Sequence, residues 1–169
     1  MPANEKEALR RIKNCIKLED KSLSLSYLDL TKLPDELFTL KWLTGLNLSG
    51  NLLEEVPPEI KYLSNLEFLY AAYNKIKYLP TEIGQLSNLV YLGLCRNQIQ
   101  YIPTEIENLP KLRCLDLASN KIEYFPPQIA VLAKLDRFYT MENKLVFISK
   151  KLDGFKGLSR RRINNLYTP

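Results

Sequence analysis

Leu89-Val90-Tyr91-Leu92-Gly93-Leu94-Cys95-Arg96-Asn97-Gln98-Ile99-Gln100-Tyr101-Ile102-Pro103 is the stretch to read first, because most of the chain is built from copies of it. Its asparagine returns every 23 residues as Asn51, Asn74, Asn97, Asn120 and Asn143, with no slip. Three apolar positions precede each asparagine at fixed offsets: Leu43/Leu46/Leu48, Leu66/Leu69/Ala71, Leu89/Leu92/Leu94, Leu112/Leu115/Leu117 and Leu135/Phe138/Thr140. The last position of the last set has become polar. After the asparagine come Leu53, Ile76, Ile99, Ile122 and Leu145, and then Val56-Pro57, Leu79-Pro80, Ile102-Pro103 and Phe125-Pro126. Each turn closes with Ile60/Leu63, Ile83/Leu86, Ile106/Leu109 or Ile129/Leu132. An imperfect copy lies upstream (Leu23, Leu25, Leu30, Leu33-Pro34, Leu37, Leu40), with Leu28 in the asparagine slot.

Periodicity of this length predicts a stack of similar coils. Leu-x-Leu alternation makes a very short strand with alternate side chains turned inward. One coil cannot bury its apolar side alone, so coils must stack and share a continuous core. Strand against strand then forms a parallel sheet along one side. The asparagines, at the exit of each strand, are placed to hydrogen-bond backbone groups of neighbouring coils as a ladder. The recurring proline lacks an N–H and ends strand pairing, so the return path is irregular or 3₁₀. The sheet side is therefore concave.

The L-x-x-L-x-L-x-x-N-x-L-x-x-L-P-x-x-I-x-x-L spacing resembles the leucine-rich repeat family over about three quarters of the chain. It is close to the type in Ras-pathway scaffolds, plant intracellular Ras-group proteins and many bacterial proteins. The resemblance implies an α/β solenoid: a right-handed superhelix of about six coils over residues 20–148, acting as a protein-binding scaffold in signalling or regulation. A bacterial effector that occupies a host target is the alternative. A small GTPase is one partner that the resemblance suggests.

An open stack needs covered ends. Residues 1–19 read as a capping helix, from about Asn4 to Leu18, with Ala8, Leu9, Ile12, Cys15 and Ile16 on one face. Its lead into the first repeat resembles bacterial leucine-rich-repeat proteins, including the repeat domain of Roco-type GTPases. No G-x-x-x-x-G-K-[ST] phosphate loop accompanies it. Residues 149–169 read as a basic C-terminal cap: Ile148, Leu152 and Phe155 continue the apolar beat of the outer side, and Leu158, Ile163 and Leu166 can fold over the last coil. Lys150, Lys151, Lys156, Arg160, Arg161 and Arg162 stand there against Asp153. The net charge of +5 therefore lies wholly in that segment, leaving 18 residues of each sign before it.

Composition narrows the chemistry. There is no histidine, which removes the commonest general base and nitrogen ligand for zinc. Three cysteines cannot form a four-cysteine zinc site. No catalytic residue, metal or cofactor is expected. Cys15, Cys95 and Cys114 show no disulfide spacing. Together with a polar N-terminus lacking a signal-peptide stretch, they suggest a cytoplasmic protein, or one delivered to a host cytosol.

Four residues per repeat are expected to point out of the concave sheet. They lie six, four, two and one before the asparagine. The first two strands offer serine, glycine and asparagine; the next offer Phe68, Tyr70, Tyr73, Tyr91 and Arg96. Aromatics with arginine dominate protein-interface hot spots. Asp116, Arg137 and Tyr139 are expected as a polar flank that sets orientation. The expected site is thus partner-binding, with a protein as ligand and no small-molecule substrate. Nucleic acid is disfavoured because the concave charges balance, and a membrane because the helix is modestly apolar. A homodimer through concave faces stays open. Tyr78, Tyr101, Tyr124 and Phe147 form a second aromatic row, read as stacked rim packing.

Overall fold

The structure, a computed structural model, describes residues 2–146 and Leu152. Helix α1 spans Ala3–Leu18. Six three-residue strands follow: β1 (Ser22–Ser24), β2 (Gly45–Asn47), β3 (Phe68–Tyr70), β4 (Tyr91–Gly93), β5 (Cys114–Asp116) and β6 (Arg137–Tyr139). They form one parallel sheet in chain order, and each residue pairs with its equivalent 23 positions on. The middle residue of every strand, from Leu23 to Phe138, is buried. The repeat thus sets the register, because any slip would turn an apolar residue to water.

Between strands the chain returns through 3₁₀ turns at Asp35–Thr39, Pro58–Tyr62, Thr81–Gln85, Thr104–Asn108 and Pro127–Val131. Each follows a repeat proline held in extended conformation by its ring. Each sends at least one apolar side chain, such as Ile60, Ile83 or Ile106, fully into the core. The N–H of the leucine that ends each turn closes it, as from Leu63 to the Ile60 carbonyl at 3.0 Å. The result is a solenoid with the sheet on one side, the 3₁₀ turns on the other and one unbroken core between them.

Helix α1 covers the first coil. Ala8, Ile12 and Cys15 are buried, and Arg11 donates to the Ser24 carbonyl at 3.1 Å while Asn4 donates to that of Asp29 at 3.1 Å. Leu9 and Ile16, expected on the buried face, are only partly covered: Leu9 is half-buried and Ile16 exposed. The helix meets the coil along the narrow Ala8–Ile12–Cys15 stripe, and these two residues flank it. At the other end Leu152 is fully buried and joins the core. Phe147, Ile148, Phe155, Leu158, Ile163, Leu166 and the six basic residues lie outside the described residues. No helix among the described residues is long and apolar enough to cross a membrane.

Candidate protein-binding face

The asparagines make the sheet stiff. Asn97 donates from Nδ2 to the carbonyls of Ala71 (2.9 Å) and Leu94 (3.0 Å) and accepts at Oδ1 from the Ile76 N–H (3.0 Å). Asn74, Asn120 and Asn143 repeat this pattern, each reaching back one coil. Asn51 accepts from two N–H groups, Leu28 (3.1 Å) and Leu30 (3.0 Å), because coil 1 has no asparagine of its own. These bonds are buried in the first four positions and half-exposed at Asn143. Buried backbone groups that would otherwise be orphaned are satisfied.

On the stiff sheet, Phe68 (38%), Tyr70 (40%) and Tyr139 (39%) keep more than a third of their surface in water, as do Tyr73, Arg96 and Arg137. Tyr91 and Asp116 are half-buried. Two expected features of the columns need correction. First, only the residues six and four before the asparagine stand on the strands. The residue just before it occupies a left-handed corner: Tyr27, Tyr73, Arg96, Ser119 and Glu142 have φ of 54–56°, and Gly50 has 71°. These corner residues touch along the stack. The Arg96 guanidinium lies 5.2 Å from the Tyr73 ring, and Ser119 Oγ bonds Glu142 at 2.6 Å. No sequence cue marked this corner, since five of its six residues are not glycine.

Second, Cys114 does not offer itself to solvent: it is only 2% exposed. It stands opposite Tyr91 in the register, and the Tyr91 ring leans along its own strand over Gly93. Tyr70, opposite Gly93, meets that ring at 4.8 Å and 34°. Burial pushes the Tyr91 phenol up to about 12, with Asp116 adding to the effect. The cysteines at 15, 95 and 114 are free thiols, and burial raises all three above the ordinary thiol value.

The face has a step. Ser22, Ser24, Gly45 and Asn47 make a low floor on β1 and β2, and Phe68 with Tyr70 makes a wall beside it, leaving an open recess of about 310 Å³. Asp116 and Asn47 spend part of their polar capacity locally. Asp116 Oδ1 accepts from the Ala118 N–H (3.1 Å), and Asn47 Oδ1 from the Ser49 N–H (2.9 Å). Arg137 sits 3.6 Å from Asp136.

A larger cleft, about 610 Å³, lies away from these residues on the flank between coils 1 and 2. Leu33, Phe38, Leu53 and Pro57 line it, with Lys32 and Glu55 among the charges of both signs around them. Between coils 2 and 3 the Lys77 N–H bonds the Glu54 carbonyl, but no such bond joins Glu54 to Thr31. The seam opens there. On the rim, Tyr101 and Tyr124 meet at 5.9 Å and 59°, and Tyr78, Tyr101 and Tyr124 all remain exposed. No group of three or more potential metal-ligating residues occurs among the described residues.

The leucine-rich repeat model matches residues 21–76 and 72–122. Among solved structures, a leucine-rich-repeat protein of Leptospira interrogans is 31% identical at a TM-score of 0.72, over 85% of this chain and 42% of that one. The plant peptide hormone receptor RGFR1 in complex with RGF2 is 30% identical at 0.67, over 75% and 21%. An internalin of Listeria monocytogenes shares the fold, at 24% identity and 0.62, over 75% and 40%. This chain therefore spans less than half the length of each of these proteins. No curated protein sequence matches it closely enough to count as a relative.

Proposed function

The chain belongs to the leucine-rich repeat family, and on that premise we propose that it is a non-catalytic scaffold that binds a protein partner through its concave face. The observation that carries this reading is the exposure of Phe68 and Tyr70 on the sheet and of Tyr73 at the corner beside it, while the inward residues already fill the core. Tyr70 stacks on Tyr91 and Tyr73 lies under Arg96, but all three rings stay outside the core with surface left in water, and such groups supply most of the energy of protein interfaces. A sheet held by the asparagine ladder loses little conformational entropy on binding. The structure of RGFR1 in complex with RGF2 supports a proteinaceous ligand for this fold.

The reading is tested by affinity capture from cell extract with the wild-type chain and a Phe68→Ala/Tyr91→Ala/Arg96→Ala variant. The expected result is a set of proteins retained by the wild type and lost by the variant, with unchanged circular dichroism and a melting temperature lowered only by the loss of the half-buried Tyr91 ring. Equal capture by both chains would move the binding surface elsewhere.

A further inference from the structure

We propose that the concave face recognises a short linear peptide segment by two features: an apolar side chain seated in the recess on β1–β3, and a carboxylate held by Arg96. The proposal rests on the concave-face reading above and names the chemistry of its ligand.

The recess asks for an apolar group. Its volume of about 310 Å³ sits at the small end of ligand pockets and suits one side chain. No charged residue lines it. Two of its floor oxygens are already engaged, Ser24 Oγ with Ser26 Oγ at 2.8 Å and Asn47 Oδ1 with the Ser49 N–H. Phe68 and Tyr70 present exposed ring surface as its wall. A polar occupant would give up water for few new hydrogen bonds, whereas an apolar one gains burial.

Arg96 asks for an anion. It is exposed, it leans one coil back over Tyr73, and no carboxylate among the described residues pairs with it. The other charges of this face are occupied: Arg137 lies by Asp136, Asp116 accepts the Ala118 N–H, and Glu142 bonds Ser119. Asp116 and Glu142 also place negative charge toward β5 and β6, so an incoming carboxylate is steered to the β4 side. Arginine suits this role, because its planar fork meets a carboxylate in two parallel hydrogen bonds.

Recess and guanidinium lie on a diagonal of the sheet. From the recess to the Arg96 backbone, two strand spacings across and three to five residues along give about 14–19 Å. An extended peptide covers that with about four to six residues. The ligand is therefore a segment with an aromatic or aliphatic residue and an Asp or Glu at that separation.

The test is selection of a random twelve-residue displayed-peptide library on the full chain. The expected consensus pairs an apolar residue with an acidic one four to six positions away. Arg96→Ala should abolish selection at the acidic position while the apolar one persists. Gly45→Leu should fill the recess and lower affinity for selected peptides roughly tenfold or more. A Cβ at Gly45 would meet Ser22 Oγ at 2.8 Å, so Ser24→Leu fills the same space as an independent variant. Binders without an acidic residue, or indifferent to both recess variants, overturn the two-feature ligand. If those binders still need Phe68 and Tyr91, the concave reading survives. Binders indifferent to every concave substitution remove both, and a library yielding no binder overturns the linear-segment ligand alone.

Discussion

The ring of Tyr91 lies across Gly93, two residues on in the same strand: a Cβ on that glycine would sit 2.6 Å from Tyr91 Cε1 and 2.8 Å from its hydroxyl oxygen. Gly93 is therefore a space on the sheet as much as a residue. It lets the ring lie flat between Tyr70 and Asp116 in place of standing into solvent.

Gly93→Ala should lift that ring. The Tyr91 phenol, now held at about 12 chiefly by burial, should then ionise nearer its ordinary value of 10. Absorbance titration of the phenolate at 295 nm reads this shift. Cys114, opposite Tyr91, should react faster with a thiol reagent in the variant than in the wild type. Unchanged titration and thiol kinetics would mean that something other than the glycine positions the ring.

The same phenol makes stability pH-dependent. The folded chain keeps this proton where the unfolded chain gives it up. Its contribution is therefore complete below pH 10 and declines as pH rises toward 12. A two-unit shift is worth about 2.7 kcal/mol at most; the partly wetted ring edge reduces this to about 1–2 kcal/mol. Urea titrations at pH 9.5 and 11.5 should differ more for the wild type than for Tyr91→Phe.

Asn97→Ala should cost about 1–3 kcal/mol, because it orphans the buried Ile76 N–H and the Ala71 and Leu94 carbonyls. Asn143→Ala should cost less, since water reaches that half-exposed position. Denaturant midpoints that fail to rank the two in this order would contradict the ladder's role.

Gly50 is the one glycine in the left-handed corner row, and a Cβ there would lie 2.4 Å from the Tyr27 ring. Gly50→Ala should destabilise by about 1–2 kcal/mol. In a Tyr27→Ala background the ring contribution should vanish, leaving about 1 kcal/mol of backbone cost. Equal costs in both backgrounds would assign the whole effect to the backbone.

Within β6, Phe138 faces the core and Tyr139 faces water. Phe138→Ala should cost about 3–5 kcal/mol. Tyr139→Ala should cost under about 1 kcal/mol, in line with surface substitutions. Thermal melts of the two variants check the alternation directly.

The 23-residue beat by itself determined the coils, the sheet order, the register and the inward face. It could do so because a period-two strand has two faces and only one of them repeats leucine. The asparagine spacing likewise placed polar groups where the stack needs them. What the tertiary structure decided is how outward residues use the surface they share. The backbone there is common to all coils, but the side chains are not, and their arrangement depends on neighbours 23 residues away. Gly93 opens room for Tyr91, Tyr91 shelters Cys114, and small residues on β1 and β2 leave a recess against Phe68. Leu9 and Ile16 lie beside the stripe where helix meets coil. The left-handed corner was hidden for a related reason: stacking hydrogen bonds hold tyrosine, arginine and serine in a conformation that their own preferences do not announce.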